Sequence, residues 1–258
     1  MLEHQWWGAL PLSPGARLQI GPSQLWLRQE ADELRIALHT DSDPISDVLT
    51  RQLDVDEPAP PAGFELHRFA VGEGSGGLQL RPILADRPVI ARPTLPFALP
   101  SGAAVTVFIS TVLWTDFSLG DVSLSVLPLF RPSDTWFGRS TIDGELCYAV
   151  RTALRMRLQD IPRRPHRAIT AVHISNQGPD SLRLHRIRLP VQHLTLFTDA
   201  RGELWTEALE MRRSDAGEAS ITLRDSPPAA VGQTEHLSAP RIPLEANNLL
   251  QAITSFLP

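Results

Sequence analysis

Three carboxylates, Asp134, Asp143 and Glu145, stand with Trp136, Phe137, Arg139 and the lone cysteine, Cys147, inside residues 133–148. Paired carboxylates can act as general acid and base or hold a hard cation. Glycoside hydrolysis needs two of them facing one another across a cleft. Beside glycine and threonine, however, aspartates more often close turns through backbone amides, and a glutamate in Glu145's position pairs with an arginine. The residue types favour that use over catalysis. Trp136, Phe137 and Arg139 could form a stacking platform for a sugar or an aromatic ligand. A tryptophan usually buries most of its area, so the expectation for Trp136 is an anchor in a domain junction.

A second cluster is basic: Arg163, Arg164, His166 and Arg167. It could grip a phosphate or the carboxylates of a partner. Charge runs of this kind usually stay hydrated, which points to a solvated loop leading into a strand. The remaining chemistry is thin. The eight histidines show no metal spacing, and no HExxH or CxxC pattern occurs. No Gly-x-Ser-x-Gly elbow is present, and Gly74-Ser75-Gly76-Gly77 lacks the lysine of a phosphate loop. Asp41, Asp43 and Asp47 lack the glycine and glutamate of a calcium loop. No metal or cofactor is expected. Cys147, between Leu146 and Tyr148, reads as an inert buried thiol, and a single cysteine can form no intrachain disulfide.

All 24 basic residues are arginine, a planar fork that pairs bidentately with carboxylates and stacks on rings. The net charge of −5 removes the global basic field that nucleic-acid binding needs, so no nucleic-acid partner is expected. The first residues lack the basic and apolar regions of a signal peptide. The longest apolar run, residues 103–114, falls far short of the roughly twenty residues that span a bilayer. These features predict a soluble cytoplasmic protein without membrane insertion, still able to dock on a membrane protein.

The elements that must position these residues are mostly strands. Period-two alternation recurs at residues 33–39, 105–110, 122–126 and 169–175, with proline or glycine turns between. Residues 191–197 and 203–211 read as further strands around the turn Asp199-Ala200-Arg201-Gly202. Residues 145–158 fit a strand with an arginine face, although Leu146, Val150, Leu154 and Leu158 also fit a helix; the strict parity favours a strand. Even spacing with turn chemistry predicts an all-β fold of two sandwich-like domains, residues 1–130 and 131–258, parted near residues 128–132. Two helices are expected. One starts at Asp43-Pro44 and runs to about Leu53. The other, residues 244–257, carries the apolar stripe Leu249, Leu250, Ile253, Phe256 and Leu257. The acidic, proline-rich residues 54–63 and the glycine-rich residues 72–77 read as exposed loops.

Several of these stretches carry a resemblance. Ser-Asp-Thr-Trp-Phe-Gly at 133–138, Gly-Glu-Leu-Cys-Tyr-Ala at 144–149 and Pro-His-Arg-Ala-Ile-Thr at 165–170 resemble an uncharacterised bacterial family, domain of unknown function 432. Asp86-Arg87-Pro88-Val89 and Gly202-Glu203-Leu204-Trp205-Thr206 fit it too. The family has no assigned chemistry, so the resemblance supplies no catalytic residues. Its genes often lie beside those of small mechanosensitive channels, which implies at most a soluble accessory partner of such a channel. The leading expectation is therefore a non-enzymatic interaction protein. Its surface would use the Trp136 region and the arginines of residues 145–167. The alternative is a carbohydrate or small-molecule binding domain, conceivably a hydrolase, built on Asp134, Asp143 and Glu145.

Overall fold

A computed structural model describes residues 6–12, 14–72, 76–138, 144–152, 154–215 and 219–243. The chain is all-β. The expected C-terminal helix, with Arg139 and Asp143, lies outside the described residues. Among those described, no helix is long and apolar enough to cross a membrane.

In chain order, the first strands are β1 (Gly8–Leu10), β2 (Gly15–Ile20), β3 (Ser23–Gln29), β4 (Glu33–Thr40), β5 (Leu49–Leu53), β6 (Glu65–Ala70) and β7 (Leu78–Ile83). Then come β8 (Val89–Pro93), β9 (Phe97–Leu99), β10 (Ala104–Val112), β11 (Trp114–Leu119), β12 (Val122–Pro128), β13 (Ser133–Phe137) and β14 (Glu145–Thr152). The last are β15 (Arg167–Asn176), β16 (Leu182–Leu184), β17 (Ile187–Leu189), β18 (Leu196–Asp199), β19 (Leu204–Thr206), β20 (Leu209–Arg213), β21 (Ala219–Leu223) and β22 (Thr234–Ser238).

The chain packs as two compact units, each drawn from separate segments. Unit 1 is Met1–Ile83, Val112–Arg131 and Arg163–Arg167; unit 2 is Leu84–Thr111, Pro132–Pro162 and Ala168–Pro258. One passage between them falls between residues 131 and 132, within the proline-bounded stretch.

Unit 1 holds a five-stranded sheet, ordered β5-β2-β3-β4-β6, and a four-stranded sheet, ordered β1-β7-β11-β12. The five-stranded sheet is antiparallel throughout. Alternation sends Leu18, Ile20, Leu25, Leu27, Leu34 and Ile36 to one face, where all are buried. A two-residue loop, Gly21-Pro22, joins β2 to β3, since Ile20 pairs with Ser23. Gly21 stands at its first central position with φ 60°, where a tight hairpin favours glycine.

Residues 43–53 do not form the expected helix. The Asp43 carboxylate does cap, but it caps a turn: Oδ1 accepts from Ile45 N at 3.0 Å. The chain then extends as β5, which pairs with β2 from Ile20↔Leu49 to Ala16↔Leu53. Asp-Pro opens turns as readily as helices, and the unpaired edge of β2 decides between them.

Unit 2 holds a sheet ordered β13-β14-β8-β17, a two-stranded β16-β9 ribbon, and a larger sheet along β21-β20-β15-β19-β18-β22, with β10 also on β15. Of the strand expected over residues 145–158, residues 145–152 are strand; beyond it Arg155 makes an isolated bridge to Phe108 and Leu158 opens a 3-10 turn. β14 runs parallel to β8, and β15 runs parallel to β19 and β20. Ile161, Ile169 and Trp205 form one buried cluster; Ile90, Phe137 and Cys147 form another. Two expected strands are broken. Residues 191–193 make a 3-10 turn after Pro190, which cannot donate to a ladder. Residues 203–211 divide into β19 and β20 around Glu207, whose carboxylate accepts from Thr195 N at 2.7 Å.

Candidate functional site

The β13–β14 ribbon carries most of the residues singled out by their chemistry. β13 is an edge strand, paired among described residues only with β14. Its register sets Asp134 opposite Tyr148, Trp136 opposite Leu146, and Phe137 opposite Glu145. Side chains alternate across a strand, so Asp134, Trp136, Leu146 and Tyr148 share one face. Thr135, Phe137, Glu145 and Cys147 share the other. The two acids therefore do not converge: they lie on opposite faces, and at opposite ends of the pairing.

On the first face Trp136 is 47% exposed. This overturns the expectation of a buried anchor. Phe137 fills that role, 6% exposed beside Ile90 and Cys147. Beyond Trp136 lies a network built on Arg87. Its guanidinium stands 3.6 Å from Asp134 Oδ1, 3.4 Å from Asp86 Oδ2 and 5.5 Å from the centroid of the Tyr148 ring. Tyr148 is buried and donates its hydroxyl proton to Asp86 Oδ1 at 3.0 Å. The Tyr148 amide donates to Pro88 O at 2.9 Å, holding the network to the start of β8. Arg87, Asp86 and Asp134 all remain partly exposed.

On the second face Glu145 Oε2 accepts from Arg188 Nε at 2.8 Å and Nη2 at 2.7 Å. The Arg188 side chain is only 10% exposed, so this pair is partly desolvated. Burial, and then the charge of Glu145, push the Cys147 thiol up to about 11. It stays protonated at neutral pH and is no nucleophile. Arg186 lies 5.2 Å over the Phe137 ring.

The basic cluster behaves differently. Arg163 is exposed and Arg164 half-buried, but His166 is 0% and Arg167 8% exposed. The solvated-loop reading fails for these two. His166 Nε2 lies 3.2 Å from Pro44 O, an obligate acceptor, so the neutral ring carries its proton there. Burial first, and the charges of Arg167 and Arg164 after it, press His166 down to about 3. A methyl on Gly21 would lie 2.0 Å from His166 Nδ1, so the ring fills the space beside the β2–β3 turn. His166 is a packing residue of unit 1. Asp134, Trp136 and Glu145 belong to unit 2, and Arg163, Arg164, His166 and Arg167 to unit 1.

Among the described residues no group of three or more His, Cys, Asp or Glu side chains could hold a metal ion. Sequence reasoning missed the role of Arg87 and Arg188. Only the Asp86-Arg87-Pro88-Val89 stretch gave a signal, as part of the resemblance.

Residues 6–257 match the family described as Protein of unknown function (DUF432). The chain belongs to that family. No curated protein and no solved structure is similar enough to this DUF432 chain to count as a match.

Proposed function

We propose that this DUF432 protein is a non-enzymatic interaction protein that docks a protein partner along the exposed edge of β13. The observation that carries this reading is Trp136, a large aromatic 47% exposed on an edge strand beside a partly exposed arginine network. Tryptophan and arginine are the side chains most enriched at binding hot spots. Among the described residues β13 pairs with one strand only, and an edge strand is where a partner strand can add. The acids weigh against a reaction centre, because Asp134 and Glu145 face opposite ways and each meets an arginine. The family resemblance adds a small mechanosensitive channel as the partner, with this chain working from the cytoplasm.

Affinity capture from native membranes tests the reading. Wild type should retain a channel protein, identified by mass spectrometry. Trp136→Ala should weaken retention at least about tenfold, the scale of a hot-spot residue. Equal capture by both proteins would refute docking at β13.

A further inference from the structure

The face of the five-stranded sheet opposite its core carries a cleft of about 170 Å³. Arg17, Gln19, Gln24, Thr50 and Gln52 line it, with Trp26 and Phe64 as its aromatic residues. The strand register explains this assembly. Gln19 pairs across with Gln24 and with Thr50, and Arg17 with Trp26 and with Gln52. Five polar side chains from three adjacent strands therefore share one face. The acidic, proline-rich residues 54–64 return along it. Val55 N donates to Gly15 O at 3.0 Å, and Phe64 stacks on His39 at 5.4 Å.

Charge selects the class of ligand. Arg17 directs two N–H groups at Glu57. Arg28 pairs with Glu30 and Asp56, and Arg35 with Glu30 and Glu33. Arg68 pairs with Glu33, whose carboxyl these contacts hold at about 2. Every arginine of this face is thus matched by a carboxylate. Nothing is left uncompensated to attract phosphate or an acidic group.

The uncharged groups are not used up. Gln19 Nε2 donates to Gly21 O at 3.4 Å, and Gln24 Nε2 to Asp41 Oδ2 at 3.2 Å. No contact among the described residues engages either carbonyl oxygen, nor the side chains of Thr50 and Gln52. Each amide offers donors and an acceptor within one group, which suits hydroxyls that must both give and accept. The volume equals about six liquid-water shares and lies far below the ~300–1,000 Å³ of drug-sized pockets. It suits one ring, not a chain.

We propose that this cleft binds a small uncharged polyhydroxylated molecule, a monosaccharide or short polyol. The hydroxyls meet the Gln19, Gln24 and Gln52 amides, and the C–H face meets Phe64. The site is independent of docking at β13.

The test is a titration of the full chain, nitrogen-15 labelled, with glucose, galactose, N-acetylglucosamine and glycerol in turn, and with inorganic phosphate as the charged control. At least one neutral probe should give saturable shifts of the Gln19, Gln24 and Gln52 side-chain amides at millimolar concentration. Phosphate should give none there. Gln52→Leu, at an exposed position, should leave the remaining spectrum in place and weaken binding about tenfold, one good hydrogen bond's worth. The proposal falls if no neutral probe moves these amides, if phosphate moves them more, or if Gln52→Leu binds as wild type does.

Discussion

Trp26 and Trp136 both stand on antiparallel-paired strands, one near Arg28 and the other near Asp134, yet one is 1% exposed and the other 47%. The difference is one of place in the sheet. Trp26 is on β3, the central strand, with Arg17 opposite on β2 and Ala37 opposite on β4. The strap of residues 54–64 returns along that face. Arg28 grips it by Asp56 Oδ1 and Glu57 O, both at 3.1 Å. The backbone approach is close: a methyl on Gly15 would lie 2.6 Å from Leu27 O and 3.0 Å from Val55 O. Trp136 is on a strand that, among the described residues, has a neighbour on one side only, with Leu146 as its cross-strand partner. The tryptophan of the central strand is buried where a strap is pinned over its face, and the tryptophan of the edge strand is half exposed. Solvated ion pairs are worth little singly. Here they serve to hold the strap, and the buried ring supplies the stabilisation.

The largest effect should come from Trp26→Ala. Truncating a fully buried tryptophan costs about 3–5 kcal/mol, as transfer free energy and cavity add. Chemical denaturation should show the loss as a lower midpoint with little change in slope. A loss below about 1 kcal/mol would mean that the strap does not close the face, and the contrast between the two tryptophans would collapse.

Acid should sharpen the comparison, because the closed unit also holds His166 beside the β2–β3 turn. Its folded-state pKa, about 3, lies below the ordinary value of 6.5. Above pH 6.5 the ring is neutral folded or unfolded, and pH has no leverage through it. As pH falls below 6.5 the unfolded chain takes up a proton that the folded chain refuses, so stability declines toward pH 3. The slope approaches about 1.4 kcal/mol per pH unit, or about 2–3 kcal/mol between pH 6.5 and 4.5. Glu33 enters only below 4.5, since its folded pKa is depressed to about 2. Glu207, raised by burial, opposes the trend and is common to both proteins compared. Denaturation of wild type and His166→Gln across that window should give a steep line and a flatter one. Parallel lines would remove His166 as the acid-sensitive group.

These two regions also show what the amino-acid sequence reveals. Alternation exposes most strands, because the inner face of the five-stranded sheet must be apolar, as Leu25 and Leu27 or Leu34 and Ile36 are. It says nothing about partners distant in the chain. The parallel pairing of β14 with β8 brings Arg87 to Asp134 and Tyr148 across roughly fifty to sixty residues, and no local pattern announces it. Arg188 reaches Glu145 in the same way. His166 looks solvated in a run of arginines, and only its contacts with Gly21 and Pro44 show a packed ring. For Asp43-Pro44, turn and helix chemistry begin alike, and the pairing of β5 with β2 selects the turn.

The smallest expected effect is the stability cost of Trp136→Ala. Half of the ring already meets water, and its cross-strand partner is the half-buried Leu146. A cross-strand pair of this kind contributes about 0.2–1 kcal/mol relative to alanine. A melt should therefore place Trp136→Ala within about 1 kcal/mol of wild type, well short of Trp26→Ala. The pairing of the two variants matters more than either number. If both cost the same, the open face is as closed as the other, and Trp136 cannot be an unoccupied docking residue. If Trp136→Ala is nearly silent in the melt but loses capture of the membrane partner, its conservation of fold and loss of binding separate the two roles on one side chain. That separation is what the proposed docking at β13 requires of an exposed aromatic on an edge strand.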